Sequence, residues 1–118
     1  MEEAEVGVPL DPEQLKSGLQ PVQELDRIIH EPARLMILAV LSRVEETDFK
    51  FLGVATGLTK GNLSRQASQL EEAGYIEIRK YYKGKIPATS YRLTTTGKAA
   101  FSAYWQHITT LQQHIHPS

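Results

Sequence analysis

The sequence predicts a mainly α-helical chain with one small β-hairpin and extra helices toward both ends. Three observations predict it. Apolar residues recur at three- and four-residue spacing over most of the length, as in Leu63, Ala67 and Leu70 or Phe101, Tyr104, Ile108 and Leu111. One stretch changes character: YIEIRKYY at 75–82 is β-branched and aromatic, KGKIP follows as a turn, and Ala88 to Leu93 returns as a second strand. Capping residues and glycine stops fall between the periodic segments.

Residues 1–10 are acidic and lack periodicity, so they read as a flexible N-terminus. Asp11 followed by Pro12 signals an N-cap and first turn, with Leu15 and Leu19 at helical spacing. Gly18 and Pro21 interrupt this helix, and a second is expected from Val22 through Ile29, with Val22, Leu25, Ile28 and Ile29 on one side. Residues 11–30 thus form an N-terminal helical region. Pro32 restarts the chain, and the helix through Leu35, Met36, Ile37, Leu38, Val40, Leu41 and Val44 is apolar on most sides, as a buried spine is.

Thr47 or Asp48 caps the next helix, Phe49 to Thr56, with Phe51, Leu52 and Ala55 expected inward and Gly57 as its left-handed stop. Thr59 caps a further helix from Lys60 to Ala73, stopped by Gly74. Its inward stripe is Leu63, Ala67 and Leu70. Lys60, Asn62, Ser64, Arg65, Gln66, Ser68 and Gln69 are left outside. After the hairpin, Thr94 to Thr96 caps a long final helix. Short helices joined by a glycine-containing turn and followed by a hairpin are the order of a winged helix-turn-helix, placed at residues 31–97.

Composition narrows the function. The 118 residues suit one domain, and 41% hydrophobic content supports a packed core. The longest strongly apolar run, Leu35 to Leu41, is far short of the roughly 18–20 residues that cross a bilayer, and the acidic, proline-broken start is no signal peptide. No cysteine is present, which excludes disulfides, thiolate metal sites and cysteine nucleophiles. A cytoplasmic location is expected, with no membrane partner. The net charge of −1 conceals an asymmetry: Met1 to Glu31 carries eight acidic and two basic residues, whereas Pro32 to Ser118 carries eleven basic and six acidic.

Those cations concentrate on one helix and one hairpin, the pattern of a surface for a polyanion. A recognition helix buries one narrow stripe and exposes a wide polar face to the major groove. Asn62, Arg65 and Gln66 have the geometry to read base edges, Arg toward guanine and Asn or Gln toward adenine. Thr59, Ser64 and Ser68 suit phosphates, and Lys60 adds charge beside them. Arg79, Lys80, Lys83, Lys85 and Arg92 cluster around the hairpin turn, where long cationic arms can follow the backbone or enter the minor groove. Five such phosphate contacts give a log–log salt slope of about −4 to −5 per protomer. Tyr81, Tyr82 and Tyr91 are expected to pack the base of the hairpin.

From about Leu25 to Phe101 the chain resembles the small winged-helix transcriptional regulators related to the MarR and ArsR groups. The strings that carry the resemblance are HEPARLMILAVL (30–41), DFKFL (48–52), LTKGNLSRQASQLEEAGYI (58–76) and YRLTTTG (91–97). The resemblance implies sequence-specific binding of double-stranded DNA at a short inverted repeat, as a homodimer that usually represses promoters. It places residues 59–73 in the major groove and the wing, residues 79–92, on backbone or minor groove. Metal-sensing ArsR members use cysteine-bearing sites, which this chain lacks. No larger effector domain is expected, and the sequence assigns no small-molecule effector and no cofactor.

The segment 98–118 reads as a dimerisation helix and tail. From Gly97 to Ile115 it spans about 28 Å. Phe101, Tyr104, Trp105, Ile108 and Leu111, with Leu15, Leu19, Val22 and Leu25, are more apolar surface than water tolerates, and a second copy can cover them. His30 reads as a cap or surface residue. His107 and His114 lie about 10 Å apart along the helix, too far to share an ion within one chain, and His116 belongs to the tail, so no metal is assigned. No catalytic constellation is visible, so an enzyme is not expected. The competing reading is a winged-helix protein–protein interaction module without specific DNA binding.

Overall fold

The computed structural model describes residues 11–115, in the order α1 (Pro12–Gly18), α2 (Gln20–Gln23), α3 (Pro32–Leu41), α4 (Phe49–Thr56), α5 (Lys60–Glu72), β1 (Ile76–Lys83), β2 (Ile86–Leu93) and α6 (Thr95–Ile115). The flexible start expected at residues 1–10 and the tail histidine His116 lie outside the described residues. The described residues divide into two compact units, one comprising Asp26–Tyr104 and the other residues 11–25 with 105–115.

The helix starts follow from local chemistry. Glu31 accepts from the Arg34 N–H at 2.9 Å, Asp48 from Phe51 at 2.7 Å, Thr59 from Asn62 at 3.2 Å and Thr94 from Gly97 at 2.9 Å. Each satisfies a donor that the first turn leaves without an intrahelical partner. Gly57 ends α4 at φ 73°, a conformation open to glycine at little cost.

In the Asp26–Tyr104 unit, α3 supplies Ala33, Ile37, Leu38 and Leu41 to the core, α4 Leu52, and α5 Leu63, Ala67 and Leu70. Ile76, Tyr91 and Leu93 close the core from the hairpin, and Ile29 from the loop before α3. The strands pair antiparallel, from Ile76 opposite Leu93 to Lys83 opposite Ile86. Gly84 and Lys85 alone join them, with Gly84 at φ 64°, the glycine-first pattern of a type II′ turn. Thr47 adds a third, one-residue rung by exchanging both backbone bonds with Tyr91, at 3.0 and 2.8 Å.

Four expectations are corrected. The helix expected at 22–29 stops at Gln23, because the Asp26 carboxylate accepts from the N–H groups of Ile28 and Ile29 and holds a turn instead. That turn buries Ile29 completely and leaves Ile28 exposed. Phe51 faces solvent, being 51% exposed, and Ala55 is exposed as well, so Leu52 alone carries the buried contact of α4. Tyr82 is also exposed, and only Tyr91 packs the hairpin base as a buried ring. The fourth is Tyr104, expected in the dimer stripe: it is 3% exposed and its hydroxyl is hydrogen-bonded to His30 Nδ1 at 2.8 Å. It is a buried side chain.

In the other unit, His107 Nε2 lies 3.7 Å from a Glu24 carboxylate oxygen. Gly18 meets the His114 ring so closely that a Cβ there falls 1.7 Å from Nε2. Leu15, Leu19, Val22, Trp105 and Ile115 are exposed, and Leu25, Ile108 and Leu111 are half-buried. No described helix is long and apolar enough to cross a membrane.

Candidate nucleic-acid interface

Helix α5 has two chemically distinct sides. Leu63, Ala67 and Leu70 are buried, while Lys60, Ser64, Arg65, Ser68 and Gln69 are exposed and Asn62 is half-buried. Thr59, also exposed, spends its hydroxyl oxygen on the helix cap and keeps its O–H donor. Gln66 departs from the expected arrangement. It is 7% exposed and lies on the inner side, so it does not present an amide to solvent.

The reason is a partner from α3. Arg34 Nη1 donates to Gln66 Oε1 at 2.7 Å and to Gln69 Oε1 at 2.6 Å, and Arg34 Nε donates to the Ile28 carbonyl. Gln66 Nε2 then donates to Asn62 Oδ1 at 3.1 Å, and Arg65 Nη2 donates to the same oxygen at 2.9 Å. A buried amide is stable only when its polar atoms find partners, and this network supplies them. Sequence reasoning missed Arg34. The available signal was the spacing of Leu63, Gln66, Ala67 and Leu70, which places Gln66 inside the apolar stripe and calls for a buried partner.

The five cations of the wing divide into two groups. Arg92 Nε lies 2.5 Å from a Glu77 oxygen across the strand pair, and Arg79 lies 3.9 Å from Glu46 while its guanidinium stacks 4.3 Å over the Tyr81 ring. Both line a groove with Glu45, Glu46 and Glu77, where carboxylates offset their charge. Lys80, Lys83 and Lys85 are exposed and have no carboxylate partner among the described residues. The wing therefore presents its free positive charge toward the hairpin tip.

A second anchor fixes the wing's root. The Tyr75 hydroxyl donates to the Asp26 carboxylate, and this bond, with burial and the nearby negative charge, pushes its pKa up to about 12. Burial raises the Tyr91 hydroxyl in the same direction. The Thr94 hydroxyl donates to the Gly74 carbonyl at 2.6 Å, and the Thr94 N–H to the Tyr75 carbonyl at 3.1 Å. The chain entering the hairpin and the chain leaving it are thus tied together.

Residues 33–113 match the family model described as a winged helix DNA-binding domain. An uncharacterized protein of Methanocaldococcus jannaschii is 34% identical over 90 residues, which span 75% of this chain and 97% of that protein. Among solved structures, a transcriptional regulator homologue from Pyrococcus horikoshii superposes with a TM-score of 0.73 at 22% identity, covering 88% of this chain and 98% of the other. The transcriptional repressor BigR from Xylella fastidiosa gives a TM-score of 0.56 at 24% identity, covering 92% and 99%. A MarR-family regulator from Silicibacter pomeroyi gives 0.59 at 19%, covering 89% and 70%. At these identities the structures attest the fold.

Proposed function

Because the chain belongs to the winged helix DNA-binding domain family, we propose that it is a transcriptional regulator that binds duplex DNA sequence-specifically. In this reading it works in the cytoplasm as a homodimer on a short inverted repeat. Residues 59–73 enter the major groove, and residues 79–92 lie along the backbone or minor groove. A repressor role is included in this reading; the X. fastidiosa neighbour BigR is a transcriptional repressor.

One observation carries the reading: α5 is clamped by three fully buried apolar residues on one side and exposes Lys60, Ser64, Arg65 and Ser68 on the other. A helix held this way can enter a groove without losing its own packing. Lys80, Lys83 and Lys85 add charge without the cost of breaking internal ion pairs. Dimerisation is supported by the exposed Leu15, Leu19, Val22 and Trp105, with Leu25, Phe101, Ile108 and Leu111 half-buried near them in sequence or along α6. A two-fold pair sets two recognition helices about 34 Å apart, one DNA turn.

The competing module reading is favoured by exposed Phe51 and Val54 on α4, 51% and 78% accessible. Binding of the purified protein to a random duplex near about 50 mM salt separates the two. Affinity that falls steeply with added salt supports the DNA reading; no binding at low salt supports the module.

A further inference from the structure

Resting on the DNA-binding reading above, we propose that Arg34 and Gln66 hold Asn62 as a donor-only reader, so that with Arg65 it selects guanine and not adenine in each half-site. The polarity of the amides follows from the two arginines at the ends of the network. Arginine donates only. Arg34 Nη1 faces Gln66 at 2.7 Å, so the facing atom is Oε1, and Nε2 points toward Asn62. Arg65 Nη2 faces Asn62 at 2.9 Å, so that atom is Oδ1. Both ends impose the same orientation on the Asn62 amide.

The consequence concerns the free edge. An asparagine reads adenine by accepting from N6 while donating to N7. Here Oδ1 already accepts from two donors, at 2.9 and 3.1 Å, and Nδ2 remains. The remaining Arg65 donors and Asn62 Nδ2 form a surface of donors alone. Guanine offers two adjacent acceptors, N7 and O6, whereas adenine sets its N6 donor against that surface. Asn62 is the third residue of α5, in the first turn, where recognition helices approach base edges. Arg34 reaches no base in this arrangement. It is a positioning residue, acting through Gln66.

Selection of bound duplexes from a random pool tests this, run on the full chain and on Asn62→Ala, Gln66→Glu and Arg34→Met. Asn62→Ala identifies the base pair that Asn62 reads. The parent should enrich guanine there over adenine by about tenfold or more. Gln66→Glu keeps a partner for Arg34 but offers Asn62 only acceptors, so the Asn62 amide turns to donate to the new carboxylate, gives up its bond from exposed Arg65 and presents its oxygen. The enriched base should then carry a donor, adenine or cytosine. Arg34→Met frees the Gln66 amide and should weaken the guanine preference; should that variant fail to fold, Gln66→Glu decides alone. Adenine at this position in the parent overturns the proposal, as does an unchanged base in Gln66→Glu or no position that responds to Asn62→Ala. A parent that enriches no sequence overturns the DNA-binding reading and this inference together.

Discussion

A Cβ built on Gly97 falls 1.9 Å from the carbonyl oxygen of Tyr75, so the start of α6 and the root of the wing pack backbone against backbone. Glycine is required here by space, since the Tyr75 carbonyl already accepts from the Thr94 N–H at 3.1 Å and cannot move freely. Gly97→Ala gains up to about 1 kcal/mol of helix propensity. The overlap with a fixed backbone atom outweighs it, and a net loss of about 1–3 kcal/mol is expected. A lower urea midpoint with an unchanged slope shows this; a midpoint equal to the parent's contradicts it.

The wing's cations should not be equivalent. Lys83→Ala removes a free charge, so it should weaken binding to all duplexes alike and reduce the salt slope by about one. Arg92→Ala should change the slope less, because Glu77 at 2.5 Å already offsets its charge. Filter binding or anisotropy over a salt series measures both. Equal effects would mean that the Glu77 pair opens on the DNA.

Alkaline pH should loosen the wing's root. The folded Tyr75 hydroxyl is raised from 10.0 to about 12, so the folded state holds this proton more tightly than the unfolded chain does. Its stabilising contribution is therefore complete below about pH 10 and is lost as pH rises toward 12. Denaturation at about pH 8 and about pH 11 should show a smaller alkaline loss in Tyr75→Phe than in the parent. Identical losses would remove Tyr75 as the cause.

Sedimentation at micromolar concentration should give twice the 13.3 kDa chain mass. Leu19→Glu combined with Val22→Glu should shift the species to one chain, since both residues are exposed and neither supports the core. A parent that sediments as one chain contradicts the dimer.

Caps and stops were legible because their chemistry is local. Asp48, Gly57 and Thr59 bracket α4 and open α5 where the residues alone place them. The misread positions depend on partners distant in the chain. Gln66 looks like a surface amide until Arg34 stands 32 residues away in sequence to receive it. Tyr104 looks like part of an outward stripe until His30 meets it across 74 residues. Helical periodicity identifies an apolar face but does not say what covers it. The 22–29 segment has helical spacing, yet one carboxylate, Asp26, redirects its backbone. The cationic wing was visible as a cluster of charges. Which of them are free was not, because Glu46 and Glu77 act through strand register and loop placement.

The most direct test of the central claim is the affinity of the purified protein for a random duplex as a function of salt, measured beside a Lys60→Ala, Lys83→Ala, Lys85→Ala triple variant. With Arg79 and Arg92 offset by carboxylates, the free cations predict a log–log slope of about −3 to −4 per protomer, flattening by about three in the variant. Binding that is absent at low salt, or a slope that the variant leaves unchanged, would contradict a role for this helix and wing on DNA.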